Sequence, residues 1–104
     1  MLFRSATAAG NGVAELPKDY KLYQNHPNPF NPTTAIDFAL PKANRVELTV
    51  YNVLGNEVAK LVDGEMTAGH HSIVLDGADL TSGIYFYHLK AGEFTQMKKM
   101  VLMK

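Results

Sequence analysis

The 104-residue chain has no cysteine, no tryptophan, no excess of charge of either sign and no long apolar run. Each absence removes a class of function. Without cysteine there are no disulfides, no thiol catalysis and no cysteine-ligated zinc, and the redox compartment stays open because an exported protein can simply avoid thiols. Ten basic side chains balance ten acidic ones, so no whole-molecule field draws in nucleic acid, anionic lipid or acidic substrates. No stretch reaches membrane-spanning length, so stable membrane insertion is not expected. Residues 1–19, "MLFRSATAAGNGVAELPKD", lack the apolar core that a signal peptide needs. The expectation is that an exported form is the tail of a longer precursor.

Proline is scarce but crowded. Of five prolines, Pro27, Pro29 and Pro32 fall within "QNHPNPFNPTTAIDFAL", residues 24–40, interleaved with Asn25, Asn28 and Asn31. Each proline fixes its own φ and pushes the preceding residue toward extended geometry, which excludes helix and central strand. The expectation is a stiff polyproline II rod with the three asparagines along one edge and Phe30 as its one bulky anchor. Residues 1–19, rich in small and polar residues without a period, read as a flexible linker from upstream cargo. Residues 20–104 read as one domain, with 20–33 as its Pro/Asn-rich lead-in and 34–104 as an all-β sandwich.

That fold class follows from short alternating runs separated by glycine turns at intervals of about 8–12 residues. Ile36, Phe38 and Leu40 alternate with Asp37 and Ala39; Val46, Leu48 and Val50 alternate with Glu47, Thr49 and Tyr51. Gly55-Asn56 supplies the turn before "EVAKLVDGEM", which reads as strand although it also fits a short helix. A fourth run puts His71, Ile73 and Leu75 on one face and Ser72 and Val74 on the other. "SGIYFYHL" and "EFTQMKKMVLMK" form the last hairpin around Gly92, expected as a type I turn plus bulge. Tyr85, Phe86 and Tyr87 in succession predict a central strand covered on both faces.

Candidate sites are few. Leu80, Gly83 and Tyr85 have the spacing of a tyrosine corner, which supports an immunoglobulin-like sandwich; core filler is the competing reading. Tyr87 stands where an antibody domain carries its disulfide cysteine, so the core must hold by packing. His70 and His71 point to opposite faces of a strand and cannot chelate one metal together. Asp76 and Asp79 read as turn caps rather than calcium ligands. No nucleophile elbow, phosphate loop or acid pair in a cleft is present. No catalytic residue, metal ligand or cofactor is assigned, and the protein is not expected to be an enzyme. Lys98, Lys99 and Lys104 surround Met97, Met100, Val101, Leu102 and Met103. Such charges either guard an edge strand or form a terminal address read by a partner. An exposed last strand could also pair edge to edge in a dimer.

Taken together, "LYQNHPNPFNPTTAIDFALP", "VELTVYNVLGNEVAKLVDGEMTAGHHSIVLDG", "LTSGIYFYHLKAGEF" and "KKMVLMK" resemble, in order over about residues 20–104, the type A C-terminal sorting domain of the type IX secretion system. The resemblance implies an immunoglobulin-like antiparallel β-sandwich of about seven strands at the end of exported enzymes and adhesins of Bacteroidota. It implies a non-catalytic module that directs N-terminally attached cargo from the periplasm across the outer membrane to the cell surface or medium. The implied partners are the type IX translocon and a sortase-like surface peptidase. Its recognition features map onto Pro27, Asn28, Pro29, Phe30, Asn31 and Pro32, onto Gly83 and Tyr85, and onto Lys98, Lys99, Met100, Val101, Leu102 and Lys104. The alternative function is a carbohydrate-binding or adhesive sandwich appended to a secreted enzyme.

Overall fold

The computed structural model describes residues 16–104, so most of the linker expected over 1–19 lies outside the described residues. Alternating apolar side chains and glycine-marked turns produce seven strands: β1 (Lys21–Leu22), β2 (Thr33–Leu40), β3 (Asn44–Asn52), β4 (Glu57–Met66), β5 (Gly69–Asp76), β6 (Gly83–Ala91) and β7 (Phe94–Leu102). They form a three-stranded sheet in the order β1-β2-β5 and a four-stranded sheet in the order β4-β3-β6-β7. Every strand pairing is antiparallel. The result is the immunoglobulin-like sandwich expected.

The two inner faces make one core. Ile36, Phe38 and Leu40 of β2 and Leu75 of β5 meet Val46, Leu48 and Val50 of β3, Tyr85, Tyr87 and Leu89 of β6, and Met100 and Leu102 of β7, all buried. Each such side chain contributes on the order of 1.5–3 kcal/mol when withdrawn from water, so packing alone can replace the missing disulfide. The Tyr85 hydroxyl donates to the Thr81 carbonyl at 2.6 Å. That bond makes Tyr85 a tyrosine corner rather than mere filler.

Three local expectations need adjustment. First, β4 is a strand throughout, and its register against β3 skips Leu61 and Val58, two bulged residues. Val58, Leu61 and Val62 fall at a helical spacing because bulges interrupt strand alternation, which explains why the stretch also reads as helix. Second, Ala91 pairs directly with Phe94, so the last hairpin turns on Gly92 and Glu93 alone instead of a longer bulged loop. Gly92 has φ +61°, the positive value a two-residue hairpin turn demands at its first position. Third, β6 is central between β3 and β7 but, among the described residues, covered on one face only. Tyr85 and Tyr87 point into the core, while Phe86 is half-buried on the outer face and Ile84 is exposed.

Candidate recognition surface

The Pro/Asn segment has few backbone donors to offer, because each proline removes one. Pairing therefore passes to the residues between. His26 and Ala35 exchange two backbone hydrogen bonds, and the Phe30 amide donates to the Val101 carbonyl at 2.9 Å while the Phe30 carbonyl accepts from Met103 at 2.9 Å. These bridges tie residues 26–30 to β2 on one sheet and, in parallel, to the end of β7 on the other. The segment bends at residues 27–29 and again at 31–32; the His26–Pro27, Asn28–Pro29 and Asn31–Pro32 bonds are cis. The expected straight rod is thus a bent strap laced across both sheets.

Its asparagines do different jobs rather than lining one edge. Asn25 is buried, and its side-chain amide donates to the Pro27 carbonyl and to Thr34 Oγ1, each at 3.1 Å. Asn28 Oδ1 accepts the Val101 amide at 3.0 Å, replacing the acceptor that a neighbouring strand would supply. Asn31 is exposed. Beneath the strap lies the Tyr87 hydroxyl, which accepts from the Asn25 amide and donates to the Tyr23 carbonyl, both at 2.8 Å. Burial pushes the Tyr87 phenol up to about 12, with the Asn25 amide pulling weakly the other way. A neutral hydroxyl can make both bonds at once, so one core side chain pins the start of the strap.

β7 is therefore not the open edge expected of a last strand. Gln24 Nε2 donates to the Lys99 carbonyl at 2.8 Å, so that with the bonds from Asn28 and Phe30 the Lys99 carbonyl, the Val101 amide and carbonyl and the Met103 amide are all taken. The side chains expected to act in recognition separate into two sets. Phe30, Tyr85, Met100 and Leu102 are buried and hold the sandwich together. Pro27, Asn28, Pro29, Asn31, Gly83, Lys99 and Lys104 are exposed, with Pro32, Lys98 and Val101 half-buried. The three lysines do not form one patch. Lys98 lies on the core side of β7 opposite Tyr87, Lys99 on the outer face opposite Phe86, and Lys104 Nζ reaches back to the Ala78 carbonyl.

A family model described as the secretion system C-terminal sorting domain matches residues 24–103. The chain belongs to that family. A search of curated proteins finds no match. The match begins at the strap and runs through β7, the two elements that the hydrogen bonds above join. The family serves type IX secretion, so membership places the protein in export across the outer membrane, to the cell surface or the extracellular space. It also implies an N-terminally attached cargo and contact with the secretion machinery.

Two further features of the sorting domain escape sequence reading. The outer face of the four-stranded sheet divides in two. One end is ionic, where Arg45 pairs with Asp63 and lies 3.9 Å from Glu47, which in turn lies 3.7 Å from Lys60. The other end is a shallow apolar groove of about 400 Å³ lined by Tyr51, Val53, Phe86, His88 and Met97. Alternation predicts which residues share that face, but not that the face lies bare. On the three-stranded sheet, His26 Nε2 lies 2.9 Å from Asp37 Oδ2. Ser72, directly opposite Asp37 in the β2–β5 register, and then His26 hold its carboxyl below the ordinary value. Asp37 Oδ1 itself is buried without a hydrogen-bond partner. Among the described residues, no group of three or more His, Asp or Glu is placed to hold a metal ion.

Proposed function

We propose that residues 20–104 form a non-catalytic sorting module, joined through a linker over residues 1–19 to cargo that it delivers through the type IX translocon, and that it is recognised at the seam between strap and β7. The observation that carries this reading is the lacing of the two elements at either end of the family match: Phe30 to Val101 and Met103, and Asn28 to Val101. Along that seam Pro27, Asn28, Pro29, Lys99 and Met103 form an exposed strip, with the Lys104 side chain turned back toward Ala78 at its end. A reader of that strip senses folded structure and sequence at once, because the strip exists only when both ends of the domain have met. Release from cargo by a sortase-like peptidase would then act on the linker, outside the sandwich. The family membership favours sorting over the glycan-binding alternative.

The test is an export assay. Residues 20–104 are fused behind a fluorescent reporter bearing a signal peptide and expressed with and without a working type IX translocon. Reporter outside only the competent cells is the expected result; reporter held in the periplasm of both, with the domain folded, overturns the proposal. Replacing Lys99 and Lys104 by glutamine is expected to lower export without unfolding the domain, since both side chains are exposed. Lys98, on the core side, is the poorer probe.

A further inference from the structure

An open sheet edge invites another strand unless something guards it, and this sandwich has four edges. β1 is only two residues long. β4 carries its two bulges and the exposed charges Glu57, Lys60, Asp63 and Glu65. β7 is bonded to the strap from the Lys99 carbonyl to the Met103 amide and carries Lys98 and Lys99 along the rest of its length. Among the described residues β5 has no guard: its eight residues pair with β2 without a register break, from Thr33 opposite Asp76 to Leu40 opposite Gly69, and it contains no proline, lysine or arginine. Its exposed row is His70, Ser72, Val74 and Asp76, with Val74 64% exposed.

Backbone alternation shows which groups are open. On β2, Ala35 bonds His26 and the Asp37 carbonyl accepts from Tyr23, so these residues face the strap and β1. Thr34, Ile36 and Phe38 then face β5, where their partners are Leu75, Ile73 and His71. The amides and carbonyls of His70, Ser72, Val74 and Asp76 consequently point away from the sheet.

We infer that two copies of this chain pair antiparallel along their β5 edges, with Ser72 opposite Val74 of the second copy and His70 opposite Asp76 of the second copy. This register brings all four outward-facing residues of each copy into hydrogen-bonded positions. A slip of two residues leaves some of them unmatched, and a slip of one puts donors and acceptors out of phase. Side-chain chemistry agrees with the register. An imidazole donor meets a carboxylate acceptor at both ends of the ladder, while on the other face Ile73 lies opposite Ile73. The arrangement is two-fold symmetric and self-complementary, and it makes one six-stranded sheet from two three-stranded ones. The His70–Asp76 match is what favours a second copy over an unrelated extended peptide.

Sedimentation velocity of the full chain over a concentration series tests this. A reversible monomer–dimer equilibrium is expected. Val74→Pro deletes an outward amide without removing a bond to β2, and it should weaken self-association by roughly tenfold or more. Val74→Lys, which keeps the backbone donor and adds an edge charge, should do the same and covers the case in which the proline variant fails to fold. Because the chain has no cysteine, Ile73→Cys places a lone thiol against its own copy, so mild oxidation should trap a dimer, whereas Thr95→Cys at the far hairpin should not. A chain that stays monomeric at every concentration, a dimer indifferent to both Val74 variants, or equal trapping at residues 73 and 95 overturns the inference. The monomeric result would leave the edge to a foreign strand.

Discussion

The two edges of the four-stranded sheet are defended by opposite means. β4 protects itself, through bulges at Val58 and Leu61 and charges within its own ten residues. β7 is protected by a segment some seventy residues earlier in the chain, as in the bond from the Val101 amide to Asn28. A defence written into a strand persists as long as the strand does. One supplied from elsewhere depends on a second element staying in place, and can be withdrawn while the sheet survives. For a domain whose last strand is proposed above to be the element recognised, that difference makes the β7 edge conditional and the β4 edge permanent.

The sharpest way to break the comparison is Phe30→Ala. Phe30 is the buried anchor of the strap, and its loss should cost about 3–5 kcal/mol. Chemical denaturation would measure that cost, and native-state hydrogen exchange should show residues 99–103 losing protection before residues 57–66. Equal losses at both edges would mean that the strap belongs to one cooperative unit with the whole sandwich. A smaller effect is expected from Tyr87→Phe, which leaves the Asn25 amide and Tyr23 carbonyl without their shared hydroxyl. The expected loss is about 1–3 kcal/mol, again concentrated at the strap. The same variant should remove the step near 12 in the tyrosinate absorbance that burial of Tyr87 produces.

The smallest effect concerns pH. Asp37 has a lowered pKa in the folded state, so its contribution is fully present above the ordinary carboxylate value of 3.8 and disappears as pH falls through the lower folded value. The group is partly solvated, so the size is that of an exposed pair, up to about 1 kcal/mol. Asp37→Asn should remove that slice of the acid dependence of stability, read as the difference between denaturation midpoints at pH 6 and pH 3, and leave the β7 edge protected.

Most of the sandwich was legible in the sequence because its strands advertise themselves locally. β2, β3 and β5 each alternate cleanly, and glycines mark the turns. The misreadings share one physical origin, which is that their causes are not local. Two residues of β1 carry no period. The bulges of β4 imitate a helical spacing. The outer face of β6 looks covered only because three aromatics stand in a row, and nothing in "YFY" says that no third layer exists. The strap shows the limit most clearly: proline chemistry correctly excluded helix and central strand, but the partners of Asn28 and Phe30 lie at Val101 and Met103, a distance that pattern reading cannot cross. Tyr87 carried a usable hint, since a phenol on the core face of a strand must find partners for its hydroxyl, and these are the backbone of Asn25 and Tyr23 at the start of the strap.

The bridge between Phe30 and Leu102 is parallel, and this has a mechanical meaning. Attached cargo lies ahead of β1, so a partner that held the chain beyond β7, as proposed above, would load the domain from its two opposite ends. Under such tension two parallel segments are loaded lengthwise, so their hydrogen bonds must fail together rather than open one at a time like a zipper. The seam proposed above as the export mark is thereby also a joint oriented to resist a pull on the two ends of the domain.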